Sequence, residues 1–115
     1  MAGSPVSQTG KGAFNNNYVL LDGATTTTNS IWYPVGQARH FTFYASGIVT
    51  NDIVTLHGFV DDGTGEPAAS SHGEAITTIT ADGLSAQTVR PDFIKARLTA
   101  TAGGGTVTVI CKAGW

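Results

Sequence analysis

Three histidines, His40, His57 and His72, are the residues of this chain whose side chains most readily ligate a metal or carry a proton. His40 and His57 fall in neighbouring alternating segments and are expected to face the same side. A zinc site needs three or four ligands in tetrahedral placement. His72 or Asp62 is the available third ligand. The sequence has neither an HExxH run nor a Cys/His spacing pattern, so surface or interface histidines are the plainer reading. Asp61-Asp62-Gly63-Thr64-Gly65-Glu66 places three carboxylates in one loop, the donor type calcium prefers. The EF-hand spacing is absent, and the same run is ordinary turn chemistry. No metal and no cofactor is assigned.

Nucleophilic chemistry has as little support. No Gly-x-Ser-x-Gly elbow occurs. Cys111 falls at an inward position of the last apolar segment, where a thiol is a small inert hydrophobe. A carboxylate pair for glycoside hydrolysis must project into a cleft, but Asp22, Asp61, Asp62, Asp82 and Asp92 all sit at turn signals. Gly103-Gly104-Gly105 precedes a strand rather than a helix, so it reads as a turn and not as a phosphate cradle. The expectation is a protein without catalysis.

Composition narrows the class further. The chain has 115 residues, enough for one domain that folds without disulfide or metal. Only 12% of residues are charged and the net charge is −2. Lys11, Arg39, Arg90, Lys95, Arg97 and Lys112 are scattered, so there is no basic face for nucleic acid. No apolar run approaches the roughly 20 residues of a membrane helix. Met1–Gly10 lacks a charged region followed by an apolar core, so it does not read as a signal peptide. A single cysteine fits synthesis in a reducing cytoplasm.

The elements that must position any site are strands. Thr occurs 17 times and Gly 15 times, while strong helix formers are scarce. No window longer than ten residues has a helical period, and no internal repeat is clear. Residues 1–17 read as a flexible or extended N-terminal arm, with Phe14 as its anchor. Residues 18–115 read as one β domain. Its expected strands are 18–22, 31–33, 38–46, 52–60, 75–80, 84–90, 93–101 and 106–114, and the tract 24–30 is a loop or weak edge strand. In 38–46, Phe41, Phe43 and Ala45 share one face, with His40, Thr42 and Tyr44 on the other. In 52–60, Val54, Leu56, Gly58 and Val60 oppose Ile53, Thr55, His57 and Phe59. Both strands carry large groups on both faces, so each is expected between two layers or against a partner. Asp82-Gly83 is a tight-turn pair expected to close a hairpin between 75–80 and 84–90. In 93–101, Ile94, Ala96, Leu98 and Ala100 form the core face; Phe93, Lys95, Arg97 and Thr99 face solvent. Val107, Val109 and Cys111 face in. About eight such strands predict an antiparallel β-sandwich, with jelly-roll and immunoglobulin-like orders both open.

Aromatic side chains exceed what one small core requires. Trp32, Tyr33, Tyr44, Phe59 and Trp115, together with Phe14 in the arm, are therefore the candidate partner-binding residues. Exposed aromatics on a sheet stack on sugars or anchor protein interfaces. Trp115 is the sharpest case, because a frayed end leaves an indole in water unless it docks.

The motifs that remain have a recognisable order. They are Trp32-Tyr33-Pro34-Val35-Gly36, Phe41-Thr42-Phe43 with Ser46-Gly47, Val54-Thr55-Leu56-His57-Gly58, Asp61-Asp62-Gly63, and Ile76 to Thr80. Ala81-Asp82-Gly83-Leu84, Ile94-Lys95-Ala96-Arg97-Leu98 and Gly105-Thr106-Val107-Thr108-Val109 follow. This series, spanning about residues 18–110, resembles small structural proteins of tailed bacteriophages. It departs from their pattern at Ser85, where an aromatic often stands, and in the loop Gly63–Gly73. The resemblance implies a virion component, in particular a head decoration (cement) protein. Such a protein would bind the major capsid protein, cluster with itself as a trimer or dimer, and sit on the capsid surface after synthesis in the host cytoplasm. A tail, fibre or adaptor subunit and a carbohydrate-binding sandwich are the alternatives.

Overall fold

The computed structural model of the chain describes residues 5–8, 16–49, 51–68, 70–99 and 106–114. Ten strands are found among them: β1 (Pro5–Gln8), β2 (Asn16–Ala24), β3 (Thr28–Asn29), β4 (Tyr33–Pro34), β5 (His40–Ser46), β6 (Ile53–Phe59), β7 (Glu74–Ile79), β8 (Gly83–Thr88), β9 (Phe93–Thr99) and β10 (Val107–Gly114). They form two sheets, and every pairing is antiparallel. Sheet A has the order β1-β2-β10-β5-β8; sheet B has the order β3-β9-β6-β7, with β4 also on β9. The protein is an all-β sandwich.

Period-two patterning decides which side of each strand is inside. Phe41, Phe43 and Ala45 of β5 and Val107, Val109 and Cys111 of β10 are buried against Val54 and Leu56 of β6 and Ile94, Ala96 and Leu98 of β9. Burial pushes the Cys111 thiol up to about 12, so at neutral pH it is a protonated core group. Two tyrosines clamp the sheets together. Tyr18 of β2 and Tyr33 of β4 meet edge to face at 5.9 Å. The Tyr33 hydroxyl donates to the Val19 carbonyl at 3.1 Å, and the Tyr18 hydroxyl donates to the Pro34 carbonyl at 3.3 Å.

Three expectations are corrected. Residues 74–79 and 83–88 are not a hairpin: β7 pairs with β6 in sheet B, and β8 pairs with β5 in sheet A. The Asp82-Gly83 pair instead carries the chain from one sheet to the other. Gly83 takes a φ of +146°, and the Asp82 carboxylate accepts the Ile48 amide at 2.9 Å. Lys95 is not on a solvent face but fully buried, because the described residues of the segment 61–73 fold over that side of β9. His40 and His57 do not share a side either, since β5 and β6 belong to different sheets. Within the N-terminal stretch 1–17, residues 5–8 form β1 along β2, and residues 16–17 belong to β2 itself.

Candidate functional site

The outer face of sheet A holds a row of exposed apolar groups, and the outer face of sheet B holds a polar cluster. On sheet A, strand register builds a straight row. Val19 of β2 lies opposite Ile110 of β10, Ile110 opposite Tyr44 of β5, and Tyr44 opposite Leu84 of β8. Each side chain points away from the core, because its sequence neighbours point in. Tyr44 is 45% exposed, Ile110 37% and Leu84 75%. These are three of the seven large apolar side chains left exposed among the described residues. The adjoining row, Asn17, Lys112, Thr42 and Ala86, is polar or small. A shallow groove of about 400 Å³ runs along the two rows. Four strands hold this surface, so it is rigid, and aligned apolar side chains on a rigid sheet are the anatomy of a contact patch.

Part of the outer face of sheet B, the end at His57–Phe59 and Phe93–Lys95, is covered by the chain itself. Cross-strand pairs His57–Lys95 and Phe59–Phe93 line it, and the segment 61–73 straps over them. The Trp32 indole N–H donates to the Ala68 carbonyl at 3.0 Å, and the Lys95 ammonium donates to the Ser71 carbonyl. The Lys95 nitrogen also sits 5.2 Å from the centre of the Trp32 ring, a cation–π contact. Phe59 packs between Trp32 at 6.0 Å and Phe93 at 6.4 Å. Gly73 pins the strap. Its φ is +54°, and a Cβ there would lie 2.5 Å from the Gly58 carbonyl oxygen.

His57 and His72 stack in this cluster at 5.4 Å. His57 is buried, and neither of its ring nitrogens has a hydrogen-bond partner among the described residues. Burial, then the charges of Lys95, His72 and Arg97, lower its pKa from 6.5 to about 4. Burial and the same two cationic side chains also lower that of His72. Lys95 is itself lowered by burial and by Arg97. The cluster therefore favours neutral imidazoles, and the nearby positive charges oppose a bound cation. Among the described residues, no three His, Cys, Asp or Glu side chains come together as metal ligands. The carboxylates of Asp61 and Asp62 turn back on their own loop. Asp61 accepts the Gly63 and Gly65 amides at 2.8 and 3.0 Å, and Asp62 accepts the Thr64 hydroxyl at 2.7 Å.

The sequence-predicted aromatics thus separate. Trp32 and Tyr33 are 2% and 1% exposed, so they are structural, contrary to the expectation of surface groups. Trp32 lies beneath the strap and Tyr33 clamps the sandwich. Phe59 is half-buried under the same strap, Tyr44 stands in the open row, and Phe14 and Trp115 lie outside the described residues. Sequence reasoning missed Val19, Ile110 and Leu84. Each reads alone as an ordinary strand residue, and only the pairing register aligns them. The missed signal was their placement out of phase with the inward positions.

Neither a family model nor a curated protein matches the sequence. A solved structure does match. The chain shares its fold with the SPBc2 prophage-derived protein YomS. The superposition covers 86% of this chain and 91% of that one, with a TM-score of 0.64 and 15% sequence identity. The likeness is one of fold, extends over most of both chains, and leaves most side chains different.

Proposed function

We propose that the chain is a structural subunit of a phage virion, and specifically a decoration protein that binds the major capsid protein on the outside of the assembled head. The open row Val19–Ile110–Tyr44–Leu84 carries this reading, as a docking face held rigid by four strands. The order of motifs along the sequence and the shared fold with a prophage-derived protein support it. Covering a side chain such as Tyr44 or Ile110, already partly shielded, returns roughly 1–2 kcal/mol. That is too little for a lasting lone contact, but enough when many linked copies bind one lattice. A low charge density also lets copies crowd on a shell without strong mutual repulsion.

A tail, fibre or adaptor subunit would use the same surface at another place in the particle. Immunogold labelling of virions separates the readings: label over the heads is expected, and label confined to tails, or none on purified particles, would overturn the head assignment. The carbohydrate-binding alternative loses its principal residue, because Trp32 is buried with its indole N–H already bonded.

A further inference from the structure

The free edges of the sandwich are unequal. Proteins blunt a free β edge with charge, proline, a bulge or a covering segment, because its unpaired amides and carbonyls are a template for another strand. β7, the edge of sheet B, begins at the exposed Glu74 and carries a register shift against β6. At the far side of sheet A, β1 lies along β2. β8 has none of these protections. Its six residues, Gly83-Leu84-Ser85-Ala86-Gln87-Thr88, include no charge and no proline. Its register with β5 runs unbroken from His40↔Thr88 to Ala45↔Gly83. No described strand pairs with its other side. Leu84, in this strand, is the most exposed large apolar side chain of the described residues at 75%.

We infer that β8 pairs antiparallel with β8 of a second copy of this chain about a twofold axis, joining two five-stranded sheets into one. We place the axis at Ala86, and the occupant is a second copy because antiparallel self-pairing sets the residue on the axis against itself and its neighbours near the same segment of the other copy, where charges would repel. β8 carries none. Its outward side chains, Leu84, Ala86 and Thr88, are small or apolar, so the two strands meet without obstruction. Beneath them Gln87 donates to the Ser85 hydroxyl at 3.1 Å, which holds these polar groups within their own copy. With the axis at Ala86, Leu84 lies opposite Thr88 of the second copy and is covered, and the outer faces of the two A sheets join into one continuous face. The inference stands on β8 itself and does not depend on the virion reading.

Sedimentation equilibrium of the full chain over a wide concentration range, with two cysteine variants, tests it. A monomer–dimer equilibrium is expected. Ala86→Lys, which sets like charges against each other on the axis, and Leu84→Lys, which replaces the apolar group that pairing covers, are expected to weaken it by about tenfold or more, with unchanged circular dichroism. Under mild oxidation Ala86→Cys is expected to form disulfide-linked dimers, while Thr42→Cys, in the middle of the same face, is expected to stay monomeric. Cys111 is fully buried and does not compete. A chain that is monomeric at every concentration, a dimer indifferent to both lysines, or cross-linking through Thr42→Cys rather than Ala86→Cys would overturn the edge pairing.

Discussion

The two sheets of this sandwich have opposite outer faces. Sheet B is roofed by its own chain: the strap 61–73 buries Lys95, His57 and Trp32 and spends their polar atoms on backbone carbonyls where it can. Sheet A is bare, and its row of Val19, Ile110, Tyr44 and Leu84 stands in solvent. Both faces are built from strands that carry large groups on two sides. The difference is that one has a covering segment and the other does not. A two-faced strand thus announces a second layer without saying whether the chain or a partner supplies it.

If the roof of sheet B is structural, removing its main support should cost most. Trp32→Ala is expected to destabilise by about 3–5 kcal/mol in denaturant unfolding, because it empties the space beneath the strap. A cost below about 1 kcal/mol would mean the strap is not a packed layer.

Acid should reach the same face next. His57 titrates near 4 when folded against 6.5 in its ordinary state, so the unfolded chain binds the proton more readily. Stability is then full above about pH 6.5 and falls as the pH drops toward 4, by up to about 3 kcal/mol. Chemical unfolding at a series of pH values checks the slope. His57→Leu is expected to flatten it, and an unchanged slope would assign the loss to other groups. Gly73→Ala is the smaller structural change. It forces a side chain into a left-handed position against the Gly58 carbonyl, and it is expected to cost about 1–3 kcal/mol and to speed proteolysis within 61–73.

The bare face should answer in the opposite way. Tyr44→Lys and Ile110→Lys are expected to leave unfolding free energy within about 0.5 kcal/mol of the parent, because neither position supports the core. A large loss at either would show that the row helps hold the fold rather than standing free as a surface.

Much of the sandwich was legible in the sequence. Phe41-Thr42-Phe43-Tyr44-Ala45 and Ile94-Lys95-Ala96-Arg97-Leu98 alternate cleanly in sequence, and their inward members are all buried. Alternation is a local property and needs only the neighbouring residues. What a distant segment does to a face is not local. Lys95 reads as exposed because nothing near it in sequence reveals that residues 61–73 return across it, and Trp32 reads as a surplus aromatic for the same reason. Asp82-Gly83 reads as a hairpin because the pair is a good tight turn, yet the turn is spent on changing sheets. The open row was legible only at Tyr44. Its other members come from strands 25 to 91 residues apart in the chain, and register between such strands is set by tertiary pairing.

The most direct measurement is co-sedimentation of the parent chain and its Tyr44→Lys variant with the assembled phage head shells that the proposed function gives it as partner. The parent should pellet with the shells and Tyr44→Lys should remain in the supernatant, both equally folded. Equal pelleting of the two, or a parent that never pellets, would contradict the assignment of the bare face of sheet A as the surface that meets the capsid.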